Sequence, residues 1–177
     1  MGHNEDVGTP GALDEDELLR RLSGELARLH SWDDVTAYII GAAVQLLGGN
    51  TGSLCLLTSD GRELEIVAQH GYSLEVTAVW TRFRLDAPLP ASEAVRTRKA
   101  VFITSPEYRD ARYPIFREQP VVQDAAYAIE PLIVDGRPIG VLVIGFETPR
   151  EFTTEDQALL AAAATRCAQA LDNRRRP

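Results

Sequence analysis

The residues able to do chemistry in this chain are few and scattered. Glu130 stands inside the apolar run Ala126 to Val134, where a carboxylate is expensive to bury without a partner. The three histidines, His3, His30 and His70, lie far apart, and only His70 adjoins a strand pattern. A lone histidine at a strand end reads as structural rather than as a metal or axial haem ligand. Cys55 falls in a strand pattern and Cys167 in a helix pattern, with no Cys-x-x-Cys spacing. They read as two buried thiols of a reducing compartment, not as a disulfide or metal site. Gly48 to Ser53 (GGNTGS) superficially suggests a phosphate loop, but it lacks the Gly-Lys-Ser/Thr ending and runs into a strand instead of a helix. There is no Gly-x-Ser-x-Gly, no His-Glu-x-x-His and no acid pair, so the many other carboxylates read as a solvated surface. No metal, haem or bilin motif is evident, and the cofactor is left unknown. An enzyme is the least supported class.

Those residues have to be positioned by a chain of 177 residues, long enough for one domain with a full core. The net charge of −8 and pI near 4.9 argue against nucleic acid, whose binding is driven by a basic surface. No apolar run approaches the ~20 residues of a membrane span, and no signal pattern opens the chain, so a cytoplasmic protein with no membrane partner is expected. Residues 1–12 are polar and aperiodic and are expected to form a disordered tail, with one domain over 13–173 and a basic end at 174–177 leading toward an effector.

The strongest local signal is Ala126 to Glu147, two strands joined at Asp135-Gly136. A tight turn twisted to match its strands needs positive φ, which Gly tolerates and Asp accepts. A two-residue loop pairs Val134 with Arg137 and hence Glu130 with Val141. Counting by twos then sets Tyr127, Ile129, Pro131, Ile133, Gly140, Leu142, Ile144 and Phe146 on one face, and Ala126, Ala128, Glu130, Leu132, Ile139, Val141, Val143 and Gly145 on the other. Both faces are largely apolar, so both should be covered. Leucines at threes and fours from Leu18 to Leu29 predict a first helix. Ser31 with Asp34 caps a second that ends at Gly48-Gly49. Gly52 to Thr58 and Glu63 to His70 read as another hairpin. Leu74 to Trp80 and Ser92 to Arg98 read as short helices, and Phe83 to Leu85 and Val101 to Thr104 as extended pieces. Ser105 to Asp124, with three prolines and three aromatics and no clean period, reads either as a lid loop or as an ordinary packed loop. Thr153 or Thr154 caps the last helix, whose stripe includes Leu159, Leu160, Ala163, Cys167, Ala170 and Leu171. The fold class is therefore α+β with an antiparallel sheet.

Several strings in this order resemble the GAF family of small-molecule sensing domains. They are Glu130 to Leu142 (EPLIVDGRPIGVL), Phe152 to Asp156 before the last helix, Leu64 to Gly71, and Ala94 to Phe102. The resemblance covers about Leu13 to Asn173. The ending CAQALDNRRR is similar to GAF domains that precede sporulation-type phosphatases or histidine kinases in bacterial signalling proteins, which makes such an effector the implied partner. The family implies a six-stranded antiparallel sheet with the terminal helices on one face and a ligand pocket on the other, under loops and short helices. On that plan the expected pocket residues are Trp80, Phe83, Ser92, Phe102, Tyr108, Tyr113, Phe116, Ala128, Glu130 and Val141.

Within this frame Glu130 either points into the pocket, toward a ligand or toward Arg109, Arg112 or Arg117 of the lid, or it reaches solvent or pairs locally. The helix start at Ser92 is a second candidate, because free N–H groups there favour an anion. The Asn-Lys-Phe-Asp-Glu set of cyclic-nucleotide-binding relatives is not found. Free-methionine-sulfoxide reductases share the fold but need several clustered cysteines, which this chain lacks. The function expected is a non-catalytic sensor that binds an unidentified small molecule and relays through its terminal helices. The alternative is a ligand-free dimerisation module in which Leu18, Leu22, Leu26 and Leu29 pack with Leu160, Cys167 and Leu171 across a two-fold axis, as a homodimer.

Overall fold

The computed structural model describes residues 14–118 and 124–175; the expected tail, the end of the 105–124 segment and Arg176 with Pro177 lie outside those residues, wholly or in part. Helix α1 spans Glu15–Arg28 with Glu15, Asp16 and Glu17 in its first turn and Leu19, Leu22 and Leu26 buried. Helix α2 spans Trp32–Leu47. Its cap is the expected one: the Asp34 amide donates to Ser31 Oγ at 3.0 Å, and Gly48 closes the far end in the left-handed region at φ 67°.

Six strands follow, β1 (Thr51–Leu57), β2 (Glu63–His70), β3 (Arg82–Arg84), β4 (Val101–Ile103), β5 (Ala126–Val134) and β6 (Arg137–Phe146). They pair antiparallel in the order β3-β2-β1-β6-β5-β4, the α+β architecture that the resemblance implied. Between them run α3 (Leu74–Val79), α4 (Pro90–Thr97), α5 (Pro106–Arg112) and a 3-10 turn at Pro114–Glu118. Helix α6 (Thr154–Arg175) closes the fold, started by a reciprocal cap in which Asp156 N–H donates to Thr153 Oγ1 and Thr153 N–H to Asp156 Oδ2, both at 3.1 Å.

The helices α1, α2 and α6 cover one face of the sheet, and two arginines tie them together. Arg150 donates to the Leu47 carbonyl and to both oxygens of Asp156, joining the end of α2 to the start of α6. Arg174 donates to the carbonyls of Leu26 and Leu29, capping the end of α1 from the last turn of α6.

The β5–β6 hairpin departs from the expected register. Val134 does pair with Arg137, but Ile133 pairs with Pro138 and Leu132 with Gly140, so Ile139 is an extra residue and Glu130 lies opposite Leu142 rather than Val141. A one-residue bulge moves every later side chain to the other face. Ala126, Ala128 and Leu132 therefore pack with Leu142, Ile144 and Phe146 under the helices, and Tyr127 and Ile129 join Val141 on the opposite side. The small Ala126 and Ala128 suit that position, since they meet Ala163, Ala164 and Ala168 of α6 in one core. The segment 105–124 also differs: where a loop without period was expected, Ser105 caps α5, accepting from the Tyr108 amide at 3.2 Å, and Pro106 occupies its first turn.

Candidate ligand pocket

On the face away from the three long helices, the sheet and the segments α3, α4 and the 3-10 turn line a half-open cavity of about 120 Å³. Its sheet side is formed by Cys55, Ile103, Ile129 and Val143. Trp80 and Phe83 stand on the wall edge to face, their ring centroids 6.4 Å apart. Phe116 comes from the 3-10 turn, and Leu89, Pro90 and Ala91 from the start of α4. The polar lining is Ser53, Gln69 and the tyrosines Tyr72 and Tyr127, and among the described residues the lining includes no Asp, Glu, Lys, Arg or His. Burial pushes the Cys55 thiol up to about 12. It does the same to Tyr72, to about 12, against the hydrogen bonding of Thr51 and Ser53 beside it.

The roof is held by a polar latch. Glu93 of α4 accepts from Arg112 of α5 and, at 2.7 Å, from the hydroxyl of Tyr113, and Arg112 donates as well to Tyr108 Oη at 2.9 Å. Burial alone would raise the Glu93 carboxyl, but the bonds from Tyr113 and Arg112 outweigh it and leave the group below its usual value. Behind Phe116, Arg109 donates to Asp110 at 2.8 Å and to the Asp124 carbonyl at 3.1 Å, with its guanidinium 5.7 Å from the ring centre. The Asp124 carboxylate, 4% exposed, accepts from Thr51 at 2.7 Å and rests where Gly145 has no side chain. Its carboxyl is raised by burial, against the Thr51 bond.

Of the residues expected at the pocket, Trp80, Phe83 and Phe116 line it. Val141 and Tyr113 belong to the core on the same side without lining the cavity. Tyr108 is 40% exposed on the outer surface of α5. Phe102, Ala128 and Glu130 are displaced by the bulge: Phe102 stacks on Phe152 at 5.1 Å and Ala128 lies in the helix-side core. Glu130 shares that face, so the lid arginines are across the sheet from it. It has no hydrogen-bond or ion-pair partner among the described residues, and burial pushes its carboxyl up to about 7. Ser92 is not a helix start either. The helix begins two residues earlier at Pro90, and the buried Ser92 hydroxyl donates to the Arg84 carbonyl at 2.9 Å, so Ser92 is no cap, and the start of α4 that borders the cavity is Leu89, Pro90 and Ala91.

The residues named for a dimer pack within the chain: Leu22, Leu26, Leu160, Cys167 and Leu171 are buried in the helix-side core, with Leu29 against it, and Leu18 lines a groove between α1 and α2. Sequence reasoning missed Ser53, Cys55, Gln69, Tyr72 and Tyr127 as lining residues. The parity of β1 carries a signal for the first two, which alternate with the core residues Leu54 and Leu56. Among the described residues no group of three or more His, Cys, Asp or Glu could hold a metal ion, and no helix is long and apolar enough to cross a membrane.

Comparison with known proteins places this geometry. The GAF domain of an Acinetobacter phosphoenolpyruvate-protein phosphotransferase superposes with a TM-score of 0.75 at 16% identity, covering 90% of this chain and 93% of that one. Free methionine-R-sulfoxide reductase from Neisseria meningitidis, solved with its substrate, superposes with a TM-score of 0.72 at 18% identity over 93% and 95%. A domain of a putative two-component sensor histidine kinase from Sinorhizobium meliloti 1021 gives 0.62 at 17% identity over 84% and 95%. At such identities these likenesses speak for the fold alone. No curated protein sequence matches the chain. The family profile described as GAF domain matches residues 29–172, from the approach to α2 through the last turns of α6, and the chain therefore belongs to the GAF domain family.

Proposed function

We propose that this chain is a cytoplasmic sensory and regulatory domain of a signalling protein, in which a small molecule occupies the cavity and biases the terminal helices toward one arrangement. The observation that carries the reading is a preformed cavity under a latched roof, on a sheet whose opposite face bears α1 and α6. A ligand that prefers one roof position shifts the population of that state, and the signal has only one sheet thickness to cross. The solved histidine-kinase relative supports an effector of that kind, and a phosphatase is the other effector that the chain's ending suggests.

A regulatory role also suits the thiols better than the reductase chemistry of the Neisseria relative. Cys55 lies on the pocket side of the sheet and Cys167 on the helix side, and burial pushes each up to about 12. Neither is a ready nucleophile, and they cannot resolve one another. A homodimer would use the polar outer faces of α1 and α6, since the leucine stripes are occupied within the chain.

The test is native mass spectrometry on protein purified from its source host, followed by denaturation to release any occupant. It is combined with hydrogen exchange of the emptied and refilled protein. An occupant near one per chain, which slows exchange in both α5 and α6, is the expected result. An empty protein whose α6 exchange ignores every added small molecule sinks the reading.

A further inference from the structure

We infer that the cavity takes a neutral, single-ring aromatic molecule carrying one hydroxyl group; the inference rests on the sensory reading above and narrows it to a ligand class. Size comes first. A space of about 120 Å³ is close to the roughly 150 Å³ apolar cavity that holds one benzene, so one ring fills it, and a second fused ring or a nucleotide would have to extend out through its open side.

The lining sets the chemistry. Rings from Tyr72, Trp80, Phe83, Phe116 and Tyr127 surround the space and offer edges and faces to a flat guest. None of the described lining residues is charged, and Cys55 and Tyr72 stay neutral up to about 12. The buried and half-buried charges on this side of the sheet already have partners, while Glu75 of α3 and Arg117 and Glu118 of the 3-10 turn are exposed and do not line the cavity. Arg109 has Asp110 and the Asp124 carbonyl, Asp124 has Thr51, and Glu93 has Arg112 and Tyr113. A carboxylate or phosphate entering here would lose its water and meet no cationic side chain among the described lining residues; the first turn of the short α4, which borders the cavity and already carries Glu93, offers only a partial charge.

The guest's single polar group is set by the β1 end of the cavity. There the Ser53 hydroxyl, buried at 7% exposure, stands beside the Tyr72 hydroxyl, with Gln69 opposite Ser53 in the β1–β2 register. A hydroxyl on the guest can donate to and accept from this group, whereas a plain ring leaves it without a guest partner.

The experiment uses the full chain with Trp32→Phe, which leaves Trp80 as the remaining tryptophan and so as the reporter at the site. Phenol, toluene and benzoate are titrated while Trp80 fluorescence is followed under red-edge excitation. Phenol is expected to saturate with a Kd at or below about 1 mM, toluene about 10-fold more weakly and benzoate at least about 100-fold more weakly. Ser53→Ala should weaken phenol about 10-fold and leave toluene within about 2-fold. Val143→Phe should fill the space and remove binding of both.

Benzoate binding as tightly as phenol, absence of saturation at about 10 mM phenol, or phenol binding that survives Val143→Phe would each overturn the assignment. The three-probe ranking on unaltered cavity residues decides the matter even if a variant fails to fold. A charged or multi-ring occupant recovered from the source host, with phenol silent, overturns the class and leaves the sensory reading standing. A protein empty in its host and silent to all three probes overturns both.

Discussion

Replacing Glu130 by glutamine should stabilise this protein at neutral pH and do almost nothing in acid. The bulge at Ile139 turns Glu130 onto the helix-covered face of β5, and burial raises its carboxyl from 4.5 to about 7. A raised carboxyl means that the folded state binds the proton more tightly than the unfolded chain does. Folding is therefore unpenalised below about pH 4.5, loses stability as pH climbs to about 7, and carries the full penalty above that. At about 1.4 kcal/mol per pH unit the rise corresponds to about 3 kcal/mol, which partial exposure of the group lowers to about 2. Glutamine keeps the shape and has no charge to lose water. In urea melts at matched pH, Glu130→Gln should exceed wild type by about 2 kcal/mol at pH 8, or about 4 to 8 °C in Tm, and by only a few tenths at pH 4. Every other titrating group cancels in the difference between the two proteins. A difference that stays flat from pH 4 to pH 8, or a glutamine variant that is the weaker protein at pH 8, would refute the placement of Glu130 in a half-buried, unpaired site.

Glu93→Gln should loosen the roof locally: amide exchange across Pro106–Glu118 speeds up, while global stability falls by only about 1 kcal/mol because Arg112 is well exposed. The Glu93 carboxyl is depressed, so the latch is complete at neutral pH and lost as pH falls through the folded pKa; wild-type and variant exchange rates should converge in acid. Gly145→Ala would push a methyl into Thr51 Oγ1 and Asp124 Oδ2. Separating that pair strands a buried carboxylate, an expected loss of about 2 to 4 kcal/mol in denaturant melts. Leu26→Ala should remove about 2 to 4 kcal/mol by opening the α1 core and leave the mass measured by light scattering unchanged, whereas a shift in mass would restore the leucine stripe as an interface.

What the sequence made legible was what local chemistry decides. Ser31, Gly48 and Thr153 mark helix ends because each meets a backbone group that nothing else satisfies. Asp135 and Gly136 mark a turn because both hold positive φ, at 50° and 73°. The faces of the central hairpin were not legible in the same way. Alternation identifies a buried face only when the other face is polar, and both faces of β5 and β6 are apolar, so nothing in the residue types betrays the extra Ile139. Glu130 and Ala128 were accordingly assigned to the pocket when they lie beneath the helices. The start of α5 was written in Ser105-Pro106, but the prolines that follow at 114 and 120 hid a helix of only seven residues. The hydroxyl end of the cavity depends on Ser53 of β1 meeting Tyr72 just beyond the end of β2, a contact between residues 19 apart that no local pattern encodes.

The bulge that hid the faces is also what couples them. Because Ile139 is set aside, Ile129 and Val143, opposite one another in the hairpin, both face the cavity. Their neighbours Ala128 and Ile144, likewise opposite, both face the helices. Each strand thus presents one side chain to the cavity and the next to the α6 core. Alanine has no rotamer with which to absorb a strand displacement, and the facing Ala163, Ala164 and Ala168 have none either. A shift of the hairpin toward or away from the guest must therefore move α6 as a body or open a gap beside it, and close-packed interiors resist gaps. Through Arg174 the same displacement reaches the carbonyls of Leu26 and Leu29 at the end of α1. The small residues on β5, which first look like room left for a ligand, are under the proposed sensory function the stiff contact through which occupancy of the pocket would be felt by the helices.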